Sequence, residues 1–78
     1  MEYDKNKVDE AVLALLFLTS FRHGKDELAR AWKGHDWDAL NRLHEKGYIS
    51  NPKGKAKSIV LSEEGEKLST ELFKKYFG

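Results

Sequence analysis

Gly47 stands where an apolar helical stripe gives way to β-type residues, and that junction dictates how the rest of the chain must be arranged. Trp37, Leu40 and Leu43 recur at i, i+3 and i+6 with Ala39 beside them, which marks one buried face at helical spacing. A glycine at the end of such a stripe closes the helix, because it enters the left-handed region without a Cβ clash. Tyr48 and Ile49 then begin a β-type run, and Ser58-Ile59-Val60-Leu61 supplies a second. Between them Asn51-Pro52-Lys53-Gly54 has turn chemistry: proline presets φ, while asparagine and glycine accept tight geometry. Ser62 follows as an N-cap for a last helix, in which Leu68, Leu72 and Tyr76 form one row and Phe73 and Phe77 widen it. Gly65 lies in line with that row, and a glycine inside a helix points to close approach of another backbone.

Upstream, Asn6 is the expected cap of a first helix running to about Phe21. Val8, Ala11, Val12, Leu15 and Leu18 lie on one side of it, and Leu13, Phe17 and Phe21 cover much of the other. A helix apolar nearly all round must be buried nearly all round. It is therefore either central to the fold or covered by a second subunit, and a homodimer through the first and last helices is one expectation. Arg22-His23-Gly24-Lys25 reads as a loop, with no strand visible near Lys25. Asp26 to Lys33 reads as a short second helix, with Leu28, Ala31 and Trp32 facing inward. Gly34 would end that helix and Asp36 would cap the next, so that Trp32 and Trp37 pack across a helix-helix corner. The fold class expected is α+β and mainly helical: a winged helix-turn-helix with a three-helix core, a two-stranded wing and a C-terminal helix. Residues 1–78 form a single domain. Leu16, Leu40, Leu43 and Ile59 are the expected core.

At 78 residues the chain buries roughly 60–65% of its unfolded surface, a small margin for a domain on its own. Cysteine is absent, which removes disulfides and thiolate metal sites and suits a cytoplasmic location. No secretory leader or membrane span is expected, since the apolar run from Ala11 to Leu18 is far shorter than the roughly 20 residues a bilayer requires. The net charge is +1 and the pI about 8.0, below the value above ~9 typical of strongly basic nucleic-acid binders. Its distribution is uneven. Residues 1–21 set four acids against two lysines, whereas residues 51–57 carry Lys53, Lys55 and Lys57 with no acid.

LNRLHEKGYIS followed by KSIVLSEEGEKL resembles the recognition helix, wing and final helix of small bacterial winged-helix regulators such as the MarR-like and PadR-like groups. Over nearly its whole length the chain resembles a family of short bacterial proteins of unknown function, through VLALLFLTSF, the box AWKGHDWDALNRLHEKGYIS and the ending KGKAKSIVLSEEG. That family implies a fold and carries no catalytic residue over. The wider resemblance implies double-stranded DNA as the commonest partner, a fold-level analogy.

With its stripe buried, the helix begun by Trp37 would present Asp38, Asn41, Arg42, Glu45 and Lys46 outward. Asn41 suits adenine, and Arg42 suits guanine or a phosphate. Asp38 and Glu45 on the same arc repel phosphates, so the arc equally fits a solvated face or a protein interface. Lys53, Lys55 and Lys57 alternate, and in extended geometry would project to one side along a phosphate backbone. The same lysines also suit a guarded sheet edge. The nucleic-acid-binding set read from sequence is thus Asn41, Arg42, Lys46, Lys53, Lys55 and Lys57. His23, His35 and His44 have no metal-ligand spacing, and His44 reads as a partly buried core histidine. No nucleophile-base pattern, P-loop or dinucleotide fingerprint occurs, so neither a catalytic site nor a cofactor is expected. The functional expectation is a non-enzymatic DNA-binding or transcription-associated protein. A protein-protein interaction module that keeps the fold without binding DNA is the alternative.

Overall fold

A computed structural model describes every residue except His23, Lys25 and Asp26. In chain order the elements are helix α1 (Lys5–Leu18), strand β1 (Arg30–Trp32), helix α2 (Trp37–Glu45), strand β2 (Ser58–Val60) and helix α3 (Glu63–Phe77). The result is α+β and mainly helical, three helices and a two-stranded antiparallel sheet among the described residues.

Local chemistry sets most helix ends. Asp4, rather than Asn6, caps α1, its carboxylate accepting from the Asn6 and Lys7 amides at 3.0 and 3.2 Å. A formal negative charge at the positive end of the helix dipole outcompetes a neutral amide two residues on. Asp36 caps α2 through the Ala39 amide at 3.1 Å. Its other end closes at Gly47, the described non-helical turn residue with φ +82°: Tyr48 N–H donates to the Leu43 carbonyl and Gly47 N–H to the His44 carbonyl, each at 3.0 Å. That pair of bonds satisfies carbonyls the helix would otherwise leave open. Ser62 caps α3 through the Gly65 amide at 3.0 Å and donates from its hydroxyl to the Gly47 carbonyl at 2.7 Å. Gly65 itself lies against the Tyr48 backbone, where a Cβ would overlap the carbonyl oxygen and stand 2.8 Å from its carbon. The close approach expected from sequence is therefore made by the residue that follows the α2 stop.

α1 is central. Val12, Leu13, Ala14 and Leu16 are buried in one cluster with Leu40, Leu43, Ile59, Leu61 and Leu72. The contacts of α3 run Glu10–Tyr76, Phe17–Phe73 and Arg22–Glu66, so α3 lies antiparallel along α1 and covers it within the same chain. The four core residues expected from sequence, Leu16, Leu40, Leu43 and Ile59, are all buried.

Residues 27–33 correct the sequence reading. The helix expected from Asp26 to Lys33 begins outside the described residues, and its described part is not helical, with Arg30–Trp32 forming β1. β1 pairs antiparallel with β2 in the register Arg30↔Val60, Ala31↔Ile59 and Trp32↔Ser58. Phe21 flanks β1 on its other side, exchanging both backbone bonds with Arg30 at 2.8 Å. Ile49 flanks β2 opposite Leu61, and Ser50 N–H donates to the Val60 carbonyl at 2.8 Å. The expected hairpin over residues 48–61 therefore exists at its base, but the chief partner of β2 is β1, from 28 residues upstream. The expected loop at Arg22–Lys25, and any strand near Lys25, fall partly outside the described residues. Trp32 and Trp37 do not pack across a helix-helix corner. They flank a strand-to-helix link and are 56% and 51% exposed.

Candidate nucleic-acid interface

The basic segment is a braced loop. Residues 51–57 are turns and bends, so Lys53, Lys55 and Lys57 do not alternate along a strand as expected. Asn51 Oδ1 accepts from the Lys53 amide at 3.0 Å, and Pro52 is fully buried beneath the loop. Lys33, which follows β1, reaches across and donates from Nζ to the Pro52 carbonyl at 2.9 Å and the Gly54 carbonyl at 2.7 Å. Its backbone N–H also donates to the Lys57 carbonyl at 3.2 Å. The same ammonium stands 5.8 Å from the centre of the Trp37 ring, within cation–π reach. Lysine ammonium groups favour carbonyl oxygens because each bond carries a full charge on the donor. Lys33 thus ties down the loop while Lys53, Lys55 and Lys57 remain exposed, with no ion pair among the described residues.

The cations of α2 have a different arrangement. Arg42 donates from Nε to Asp9 Oδ1 and Oδ2 at 3.0 and 2.8 Å and from Nη2 to Oδ1 at 2.7 Å. Lys46, one turn on, reaches Asp9 Oδ2 at 3.4 Å. Asp9 is 2% exposed inside α1. Its hydrogen bonds to the guanidinium, followed by its charge, push the Arg42 pKa above the ordinary value and offset the opposing effect of burial. Asn41 is half-buried on the same helix, and Asp38 and Glu45 are exposed. The set expected from sequence is therefore divided. Arg42 and Lys46 gather on Asp9, Asn41 stands on α2, and the lysines at 53, 55 and 57 lie exposed on the loop whose backbone Lys33 holds.

Sequence reasoning missed Asp9 and Lys33 as parts of this arrangement. Asp9 left a signal: it stands at i, i+4 and i+7 with Leu13 and Leu16, an acid on a buried face that requires a cationic partner. Lys33 left none, since its targets are backbone carbonyls of a distant loop.

A groove of about 380 Å³ lies among α1, α2 and α3, lined by Leu13, Leu43, Leu68 and Leu72 together with Asp9 and Lys46. His44 is half-buried, as expected, and its Nδ1 stands 3.1 Å from the Ile49 carbonyl, a geometry that uses that nitrogen as the donor. Among the described residues no group of histidine, cysteine or acidic side chains is arranged to hold a metal ion. Nor is any helix among them long and apolar enough to cross a membrane.

The family described as "Domain of unknown function (DUF6429)" matches residues 4–78. This chain belongs to that family. It is also 49% identical over 77 residues to "Uncharacterized protein y4hR" of Sinorhizobium fredii (strain NBRC 101917 / NGR234), covering 99% of this chain and 97% of the relative. The expectation of a small bacterial family of unknown function agrees with both matches. No solved structure matches the chain.

Proposed function

We propose that this DUF6429 protein is a non-enzymatic, cytoplasmic nucleic-acid-binding protein, with double-stranded DNA as its ligand and the 51–57 loop as the wing of a reduced winged helix. The observation that carries this reading is the braced loop: Lys53, Lys55 and Lys57 are exposed on a turn held by Lys33 and buried Pro52. Cations on a preorganised loop lose little freedom on meeting phosphates, and each contact releases counterions from the duplex. The order α2, loop, β2, α3 supports the winged-helix assignment. Sequence preference falls to Asn41, because Arg42 and Lys46 are engaged by Asp9. Attraction to the backbone therefore dominates.

Fluorescence anisotropy on mixed-sequence duplex across a salt series tests the reading. Changing Lys53, Lys55 and Lys57 together to glutamine should weaken all sequences alike and lower the salt slope by up to ~0.9 per lost phosphate contact. No binding by wild type at low salt would end it.

A second reading, protein association, is favoured by an aromatic row on the α1–α3 face. Phe17, Phe73 and Phe77 follow one another at centroid spacings of 5.2 and 5.4 Å, and Phe77 is 56% exposed beside exposed Tyr76. Exposed aromatic rows suit subunit contacts, and a homodimer through α1 and α3 would cover this one. Sedimentation equilibrium giving the 9.0 kDa monomer at high micromolar concentration would exclude it.

A further inference from the structure

We propose that Trp32 is a stacking platform for an unpaired nucleobase, so that the ligand of this protein is a duplex with a single-stranded extension. The inference rests on the nucleic-acid reading of the 51–57 loop and names what lies beside it. Ala31 and Ile59 point into the core at 0% and 1% exposure, so alternation along the sheet turns Arg30, Trp32 and Ser58 to the opposite face. Phe21, paired with Arg30 across the bridge, packs its ring 5.2 Å from that of Trp32 at 38°. This contact orients the indole yet leaves it 56% exposed. Arg30 is held on the same face by a bond from Nε to the Ser58 hydroxyl at 3.1 Å.

Charge complementarity selects the occupant. Trp32 is paired with Ser58, one residue from Lys57, and precedes Lys33, whose amide bonds Lys57. An apolar platform placed directly beside a lysine loop and an arginine fits a polyanion that also offers flat rings. A buried apolar partner would have to desolvate these cations without neutralising them. In duplex DNA the base faces are stacked on one another and unavailable to an indole, whereas an unpaired base offers its face to any aromatic ring. A strand leaving a duplex held on Lys53, Lys55 and Lys57 would therefore lay a base on Trp32.

The test uses a fluorescein-labelled blunt duplex and the same duplex with a short single-stranded tail. Wild type should bind the tailed probe more tightly by about tenfold, the scale of one base–aromatic stack. Trp32→Ala should remove that margin and Trp32→Phe should keep most of it, with blunt-duplex affinity unchanged in both. Because the chain has two tryptophans, Trp37→Phe leaves Trp32 as the sole indole, and the tailed probe should quench its fluorescence. Should Trp32→Ala lose its fold, this quenching decides alone. Equal binding of the two probes, a margin that survives Trp32→Ala, or an unquenched Trp32 would overturn the stacking proposal and leave the phosphate reading standing. Failure of wild type to bind either probe at low salt would overturn both.

Discussion

The two cationic corners of this molecule use the same chemistry in opposite directions. At the α1–α2 corner, Arg42 and Lys46 turn inward onto Asp9, a carboxylate almost without solvent access. At the sheet end, Lys33 turns inward onto backbone carbonyls of the loop, and the three loop lysines stay exposed. A buried acid must be compensated, so it draws in whatever cation a neighbouring helix offers. Backbone carbonyls carry only partial charge, and one ammonium satisfies two of them. A cation's availability for a ligand thus depends on which acceptors are buried nearby, more than on its place along a helix.

The largest effect should come from breaking the inward corner. Arg42→Met leaves Asp9 buried without its main partner, and denaturant unfolding should show a loss of about 3 kcal/mol, the low end for a buried pair because the guanidinium keeps some solvent access. Pairing it with Asp9→Leu should restore most of that loss, since two apolar side chains of similar size replace the ion pair. A double variant no more stable than the single one would show that the corner depends on more than its charges.

Next is the brace at the other corner. Lys33→Met keeps the aliphatic stem and removes one ammonium with its two charge-assisted hydrogen bonds, and should cost about 1 kcal/mol, discounted from the value for buried charge-assisted bonds because the site is partly wet. Hydrogen exchange should speed up at the Lys53 and Gly54 amides. Unchanged exchange there would mean that buried Pro52 holds the loop without help.

Smaller still is the stability change on neutralising the loop. Lys53, Lys55 and Lys57 to glutamine should shift unfolding by at most about 0.5 kcal/mol, because exposed charges away from partners contribute little to the fold. A larger loss would assign these lysines a structural role and set the comparison aside.

The smallest effect concerns pH. Burial holds the His35 imidazole below its ordinary pKa of 6.5, so the unfolded chain takes up that proton first. The stability gained by keeping His35 neutral is complete above the unfolded value and is lost as pH falls through 6.5 toward the lower folded value. Urea midpoints of wild type should fall between about pH 7.5 and 5.5, and His35→Gln should flatten that slope. Equal slopes would assign the dependence to other groups.

Legibility in the sequence followed range along the chain. The Gly47 stop and the Asp36 and Ser62 caps were readable because each is satisfied within a few residues. Even Gly65 was readable, since a glycine in a helical row implies a neighbour, though only the fold identified it as Tyr48. Arg30–Trp32 was misread for the opposite reason. Leu28, Ala31 and Trp32 have helical spacing, but three ladder pairs with β2 and the flanking bonds to Phe21 outweigh so short a helical preference. Arg42 looked free because its partner lies 33 residues away.

By itself, the sequence determined the α2 stop at Gly47, the Asp36 and Ser62 caps, the four core residues and the local excess of lysine at 51–57. These rest on backbone conformation and side-chain polarity, which act over one or two helical turns. Tertiary structure decided that residues 30–32 are a strand, that α3 of the same chain lies along α1, and that Arg42 faces Asp9 while Trp32 faces outward. Each of those outcomes depends on which distant groups are buried together, and burial is what turns an ordinary polar contact into one the fold must satisfy.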